Sequence, residues 1–378
     1  MSALKLLLFA LTPVLVLLAV AELTVRTFGL AESCPDSATV HSDLWTCDPV
    51  LGFRTRPGLL VNGQGMNALG FRGPDYDATA PLQIIALGDS TTFGYVTSTG
   101  PGVSYYVAAP YPERLAAMAS AKLGPGNVSV LNAGVCGYNT YHGIMLLRTH
   151  LRRLRPTLMI VKYGWNDLLT SADGVAGAYH EPATELGRDV EDLLLKTALY
   201  PFARRLALEL PSLHGAAHAG WTQATWTPNV PLEDYAAHIR RIVALARARD
   251  IPVWLATSGD AFLTDEYRNR EDPYAVTAAE QLNLNRLGGI QSFHELAAIH
   301  AAYNAAVRTV GAELDVRVVD LAAVYQAHAA EHLFSDVDAV HPLEAGHALE
   351  ASALFAELHA QGEALDGRMM PIAMPPGI

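Results

Sequence analysis

From Leu82 onward the chain alternates short apolar runs with stretches of helical periodicity, and that alternation limits the fold more than any other feature. Leu82-Gln83-Ile84-Ile85-Ala86-Leu87 stops at Gly88 and has the length and content of a buried strand. Pro112 to Lys122 reads as a helix, with Pro at its start and Gly124 beyond its end. Val128 to Leu131 and Leu158 to Val161 are the next two strands, separated by helical spacing of apolar residues over Tyr141 to Leu154. The rhythm continues with a helix over Leu232 to Ala248, a strand over Ile251 to Ala256 and a helix over Leu296 to Val310. A strand over Val316 to Leu321 and a last helix from about Leu343 to Leu358 complete it. Strands alternating with helices imply right-handed β-α-β units and a parallel sheet covered on both faces. In such sheets ligands bind where loops leave the carboxyl ends of the strands.

Composition removes several classes of function. The 26 Lys and Arg stand against 38 Asp and Glu, for a net charge of −12, so a general surface for phosphate backbones is missing and nucleic acid is not expected as a partner. Hydrophobic residues make up 51% of the chain, which excludes intrinsic disorder. Three Cys with no C-x-x-C pair do not make a disulfide scaffold.

Chemistry is therefore sought just after each strand. Gly88-Asp89-Ser90-Thr91-Thr92-Phe93-Gly94 follows the first strand, Asn132-Ala133-Gly134-Val135-Cys136-Gly137 the second and Gly164-Trp165-Asn166-Asp167 the third. Asp338-Ala339-Val340-His341-Pro342 lies beyond the last. Each alone is ordinary turn chemistry; four in this order, each after a strand, are not. A serine nucleophile needs a base, and the base needs a third group to hold its tautomer. Asp338 and His341, three residues apart, can supply that pair for Ser90, and Asp338 is preferred to Asp336 because five residues require the chain to double back. An oxyanion needs fixed donors, which the N–H groups of Ser90 and Gly134 and the Asn166 side chain can offer.

These four segments resemble the signature blocks of the SGNH hydrolases, the GDSL-type esterases and lipases, in that family's order over roughly residues 82 to 355. Asn67-Ala68-Leu69-Gly70-Phe71-Arg72-Gly73 also resembles the lead-in of exported members. The resemblance implies a flavodoxin-like three-layer α/β/α fold around a central parallel sheet. It also implies a triad of Ser90, Asp338 and His341, and an oxyanion hole of Ser90, Gly134 and Asn166. Thr91 departs from the Leu of the name-giving motif at a position with no catalytic role.

Other residues invite other readings. Asp89 reads as a structural hydrogen-bonding residue, Asp167 as an organiser of its loop, Asn132 as a brace for Gly134, His347 as a helix-face residue and Cys136 as a buried thiol. His328-Ala329-Ala330-Glu331-His332 spells the H-x-x-E-H pattern of zinc hydrolases, with both His on one helix face. The same i, i+4 spacing of His214 and His218 shows how readily it arises in a chain with 14 His.

The N-terminus reads separately from the fold. Leu6 to Ala21 are uncharged and as a helix span about 24 Å, short of the ~30 Å hydrocarbon core. Residues 1–28 fit a signal peptide cleaved after Ala19-Val20-Ala21, or a retained membrane anchor with Glu22 and Arg26 at the interface. Either exports the rest, and export permits a disulfide between Cys34 and Cys47. Residues 29–80 form an irregular arm. Residues 81–378 form the hydrolase domain, interrupted at about 168–228 by an insertion in which Asp189 to Tyr200 is amphipathic.

The expected function is an exported serine esterase that forms an acyl-enzyme and requires no metal or organic cofactor. Its partners would be a small-molecule or glycan ester and, through the N-terminal segment, a membrane. An O-acyltransferase or acetylesterase of an exported polysaccharide uses the same residues. A binding module without activity and a zinc hydrolase are the readings outside that class.

Overall fold

The computed structural model describes residues 3–31, 44–61, 64–97, 104–169, 182, 184–209, 228–263, 293–335 and 340–364. By contacts the chain divides into two compact units, Met1–Arg56 with Ala178–Gly220, and Pro57–Gly177 with Trp221–Ile378. The division falls at residue 56, so residues 57–80 belong to the sheet unit.

Five parallel strands build that sheet: β1 (Leu82–Gly88), β2 (Val128–Gly134), β3 (Leu158–Lys162), β4 (Val253–Ala256) and β5 (Arg317–Val319). Their spatial order is β2-β1-β3-β4-β5, the flavodoxin-like order expected from the resemblance. The chain leaves β1 in one direction to build β2 and in the other to build β3, which opens a crevice above the ends of β1 and β3. Register brings Gly88 of β1 level with Gly134 of β2 and Lys162 of β3.

The helices among the described residues, in chain order, begin with α1 (Ala3–Thr27), α2 (Ser90–Phe93), α3 (Tyr111–Leu123), α4 (Thr140–Arg148) and α5 (Trp165–Leu168). Then come α6 (Glu185–Leu194), α7 (Leu199–Glu209), α8 (Leu232–Arg247), α9 (Phe293–Leu314), α10 (Leu321–Ala327) and α11 (Glu344–Ala364). Strand periodicity sorts the core. Leu82, Ile84 and Ala86 join Leu158 and Ile160 on one face, packed with Tyr111 and Leu115 of α3 and Ala351 and Leu354 of α11. Ile85, Leu87, Met159 and Val161 are equally buried on the other face, over which α4, α8 and α9 pack together. The result is three layers.

Three helical stretches differ from expectation. The expected helix over Tyr141 to Leu154 ends at Arg148: the Thr149 hydroxyl donates to Met145 O at 2.6 Å, and Arg249 reaches Leu147 O and Leu151 O at 3.5 and 3.3 Å. The amphipathic stretch over Asp189 to Tyr200 is two helices, broken between Leu194 and Leu199. The H-x-x-E-H residues share no helix, because α10 ends at Ala327 and His328 leaves helical geometry (φ −114°, ψ 29°) with its Nδ1 on Val324 O.

In the other unit, an antiparallel hairpin pairs Trp45–Asp48 with Gly52–Thr55. Cys47 is disulfide-bonded; Cys34 lies outside the described residues. The segment Phe9–Thr27 of α1 is long and apolar enough to cross a membrane, with mean hydropathy 1.8.

Candidate active site

At the end of β1, Asp89 turns the chain into α2. Its Oδ1 accepts from the backbone N–H and the hydroxyl of Thr91, both at 2.8 Å, an N-cap that satisfies an orphan donor of the helix. Ser90 is the first helical residue, at the carboxyl end of the sheet, and its own N–H makes no hydrogen bond among the described residues. Burial pushes the Asp89 carboxyl up, against which the Thr91 bonds and the Lys162 charge act. Asp89 is thus a cap, as its sequence position suggested.

His341 reaches the same place from 251 residues away: its Nε2 lies 2.9 Å from Ser90 Oγ. A short antiparallel bridge between Phe334 and Pro342 holds its loop, together with Ser335 N–H to His341 O (3.1 Å) and Leu343 N–H to Leu333 O (2.8 Å). Tyr95 meets the imidazole edge-on, with centroids 5.0 Å apart. Asp336 and Asp338 both lie outside the described residues.

Gly134 does not have the donor expected of it. Its N–H is taken by Asn132 Oδ1 at 3.1 Å. A Cβ there would stand 2.4 Å from Phe93 N and 2.9 Å from Asp89 O, so the residue is glycine because α2 packs directly on it. Three residues on, Gly137 is exposed in the following turn at φ +84°, and its N–H is unengaged among the described residues. The sequence segment contained Gly137; spacing alone could not tell which of the two amides is taken.

Asn166 lies on α5, past the end of β3. Its Nδ2 donates to Tyr138 O at 2.9 Å, one residue beyond Gly137, and its second amide hydrogen is unengaged among the described residues. Asp167 ties this helix to α4: it accepts from Thr140 N–H at 3.0 Å and from the Thr140 hydroxyl at 2.5 Å. Burial pushes the Asp167 carboxyl up to about 7. Trp165 is clamped between Gly259 O, to which its indole N–H donates at 3.3 Å, and the His300 ring stacked 4.0 Å away.

Two groups beneath the site had no role in the sequence reading. Lys162, beside Gly88, donates to both Glu350 oxygens at 2.7 Å, and both side chains are 1% exposed. Arg72, from the lead-in segment, is buried and donates to Phe93 O at 2.8 Å and Gly94 O at 3.3 Å, holding the carbonyl end of α2. His347 is buried on α11, and burial holds its imidazole well below its usual pKa. Cys136 is free, and burial pushes its thiol up, away from the thiolate.

The arrangement is a serine hydroxyl in contact with an imidazole at the carboxyl end of the sheet, with amide hydrogens of Ser90, Gly137 and Asn166 unengaged among the described residues. The sequence matches the profile of the GDSL-like Lipase/Acylhydrolase family over residues 86–349, and the chain belongs to that family. It is therefore a carboxylic ester hydrolase by class.

Among solved structures, an acetylxylan esterase from Geobacillus stearothermophilus is 17% identical with a TM-score of 0.43, covering 74% of this chain and 94% of its own. An α/β hydrolase from the metagenome of Lake Arreo, Spain, is 18% identical with a TM-score of 0.43, covering 73% of this chain and 94% of its own. Likeness at that level says nothing about which ester this chain cleaves. No curated protein matches it significantly.

Proposed function

We propose that the chain hydrolyses its ester through a Ser90 acyl-enzyme, with His341 as base and Asp338 as the group that holds the imidazole. The observation that carries this reading is the 2.9 Å contact between His341 Nε2 and Ser90 Oγ. His341 takes the Ser90 proton as Oγ attacks the ester carbonyl, and returns it to the departing alcohol. Water, deprotonated by the same imidazole, then releases the acid. The tetrahedral oxyanion is met by the Ser90 N–H, the Asn166 amide and the Gly137 N–H, the last in place of Gly134 because the Gly134 N–H is already bonded.

On this reading α1 is a retained anchor and the ester is met outside the cytoplasm. Two contacts support retention: the Glu22 carboxylate binds backbone N–H groups of Ala198 and Leu199, and Val25 is buried. Ser90→Ala should lower hydrolysis of a short-chain aryl ester by ~10³-fold or more with folding intact. Unchanged turnover in the purified variant would end the proposal. Adding a glycan acceptor to the same assay separates release to water from transfer to sugar.

A further inference from the structure

Helix α6 is amphipathic in the reverse sense to a helix packed on a protein core. Its inner side carries Glu191, which is buried and accepts a hydrogen bond from the Tyr200 hydroxyl of α7 at 3.0 Å. Its outer side carries Leu186, Val190 and Leu193, which are 73%, 47% and 61% exposed. These stand at i, i+4 and i+7, a single stripe along the helix. Thr184 caps the helix by accepting from Gly187 N–H at 3.1 Å, so the stripe belongs to a well-started helix.

The corner after α6 is fastened to the end of α1. The Glu22 carboxylate accepts from Ala198 N–H at 2.9 Å and Leu199 N–H at 2.7 Å, where α7 begins. Arg26 Nη2 donates to Lys196 O at 3.3 Å. The uncharged run of α1 ends at Ala21, so Glu22 and Arg26 mark where that helix leaves hydrocarbon for the polar interface. The same two residues hold the corner at that level, and Leu193 lies within one helical turn of it.

We infer that α6 lies flat in the interface of the bilayer that α1 crosses, with Leu186, Val190 and Leu193 in the acyl boundary. This rests on α1 being a retained anchor. The occupant is lipid because the stripe is held at the mouth of a helix whose own Leu23 and Phe28 are 66% and 73% exposed. The attraction is apolar: α6 carries Glu185, Asp189, Glu191 and Asp192 against Arg188 alone, so anionic lipid is not required.

The test uses the full chain in pure phosphatidylcholine vesicles, with a genetically encoded fluorophore placed singly at Leu15, Leu193 or Glu185 and bromine on the lipid acyl chains as quencher. Strong quenching is expected at Leu15 and, by bromine near the headgroup, at Leu193, with Glu185 about threefold weaker or less. Quenching at Leu15 with Leu193 no stronger than Glu185 overturns the inference and leaves the anchor standing. Absence of quenching at Leu15 overturns the anchor, and the inference with it. All three positions are exposed, so the fluorophore meets no packed core.

Discussion

The sheet unit and the helices α1 and α6 of the other unit use apolar residues differently. In the sheet unit Ile84, Ala86 and Ile160 are fully buried, and the exceptions inside are polar groups held for a purpose: the Lys162–Glu350 pair, Asp89, Asp167. In the other unit Leu15, Leu17 and Leu186 are 61%, 69% and 73% exposed while Glu191 is buried. The first pattern is that of a domain folded against water, and the second is the one expected if, as we propose, α1 and α6 meet lipid. A chain 51% hydrophobic does not reveal which side chains face which solvent; the partners of the polar ones do.

The contrast can be broken first at the buried pair. Glu350→Gln leaves an uncompensated ammonium in the sheet core and should destabilise the sheet unit by about 3–5 kcal/mol, read by denaturant unfolding of detergent-solubilised chain. Lys162→Met with Glu350→Leu should recover most of that. A neutral single substitution would mean that the pair is not isolated from water.

Asp167 gives the next largest effect, and a sign. Its folded pKa of about 7 lies above the ordinary 3.8, so its protonated form favours the folded state, and that contribution is lost as pH rises from about 4 through 7. At about 1.4 kcal/mol per pKa unit the loss is a few kcal/mol. Asp167→Asn should flatten stability across this window. An unaltered pH profile would place the carboxylate in contact with water.

The smallest effect is expected in the other unit. Leu186→Ser, Val190→Ser and Leu193→Ser should each change unfolding stability in detergent by no more than about 0.5 kcal/mol, because no core is vacated. A loss of core size, ~2–5 kcal/mol, would show that the stripe packs against protein.

The sheet and the turn that carries Ser90 were legible in the sequence because both are local: apolar runs of strand length, then turn residues directly after them. Ser90 and His341 could be named from their segments, though only topology brings them together. Which amide after β2 is left to donate was not legible. Gly134 and Gly137 share one segment, and what separates them is the Asn132 side chain bonded to one of the two amides. Helix ends failed for a similar reason. The break between α6 and α7 is set by Glu22, 176 residues from Ala198, and the end of α4 is set with Arg249. The roles of Arg72 and Glu350 were not legible because no local pattern announces their partners, backbone carbonyls and Glu113 for the one and Lys162 for the other.

Reaction with a fluorophosphonate tests the central claim most directly, since it reports the nucleophile without assuming a substrate. The account predicts a single phosphonyl adduct on the intact chain, mapped by peptide mass to Ser90, absent from Ser90→Ala and formed roughly 10³-fold more slowly in His341→Ala. An adduct on another residue, or undiminished labelling of Ser90→Ala, would contradict it.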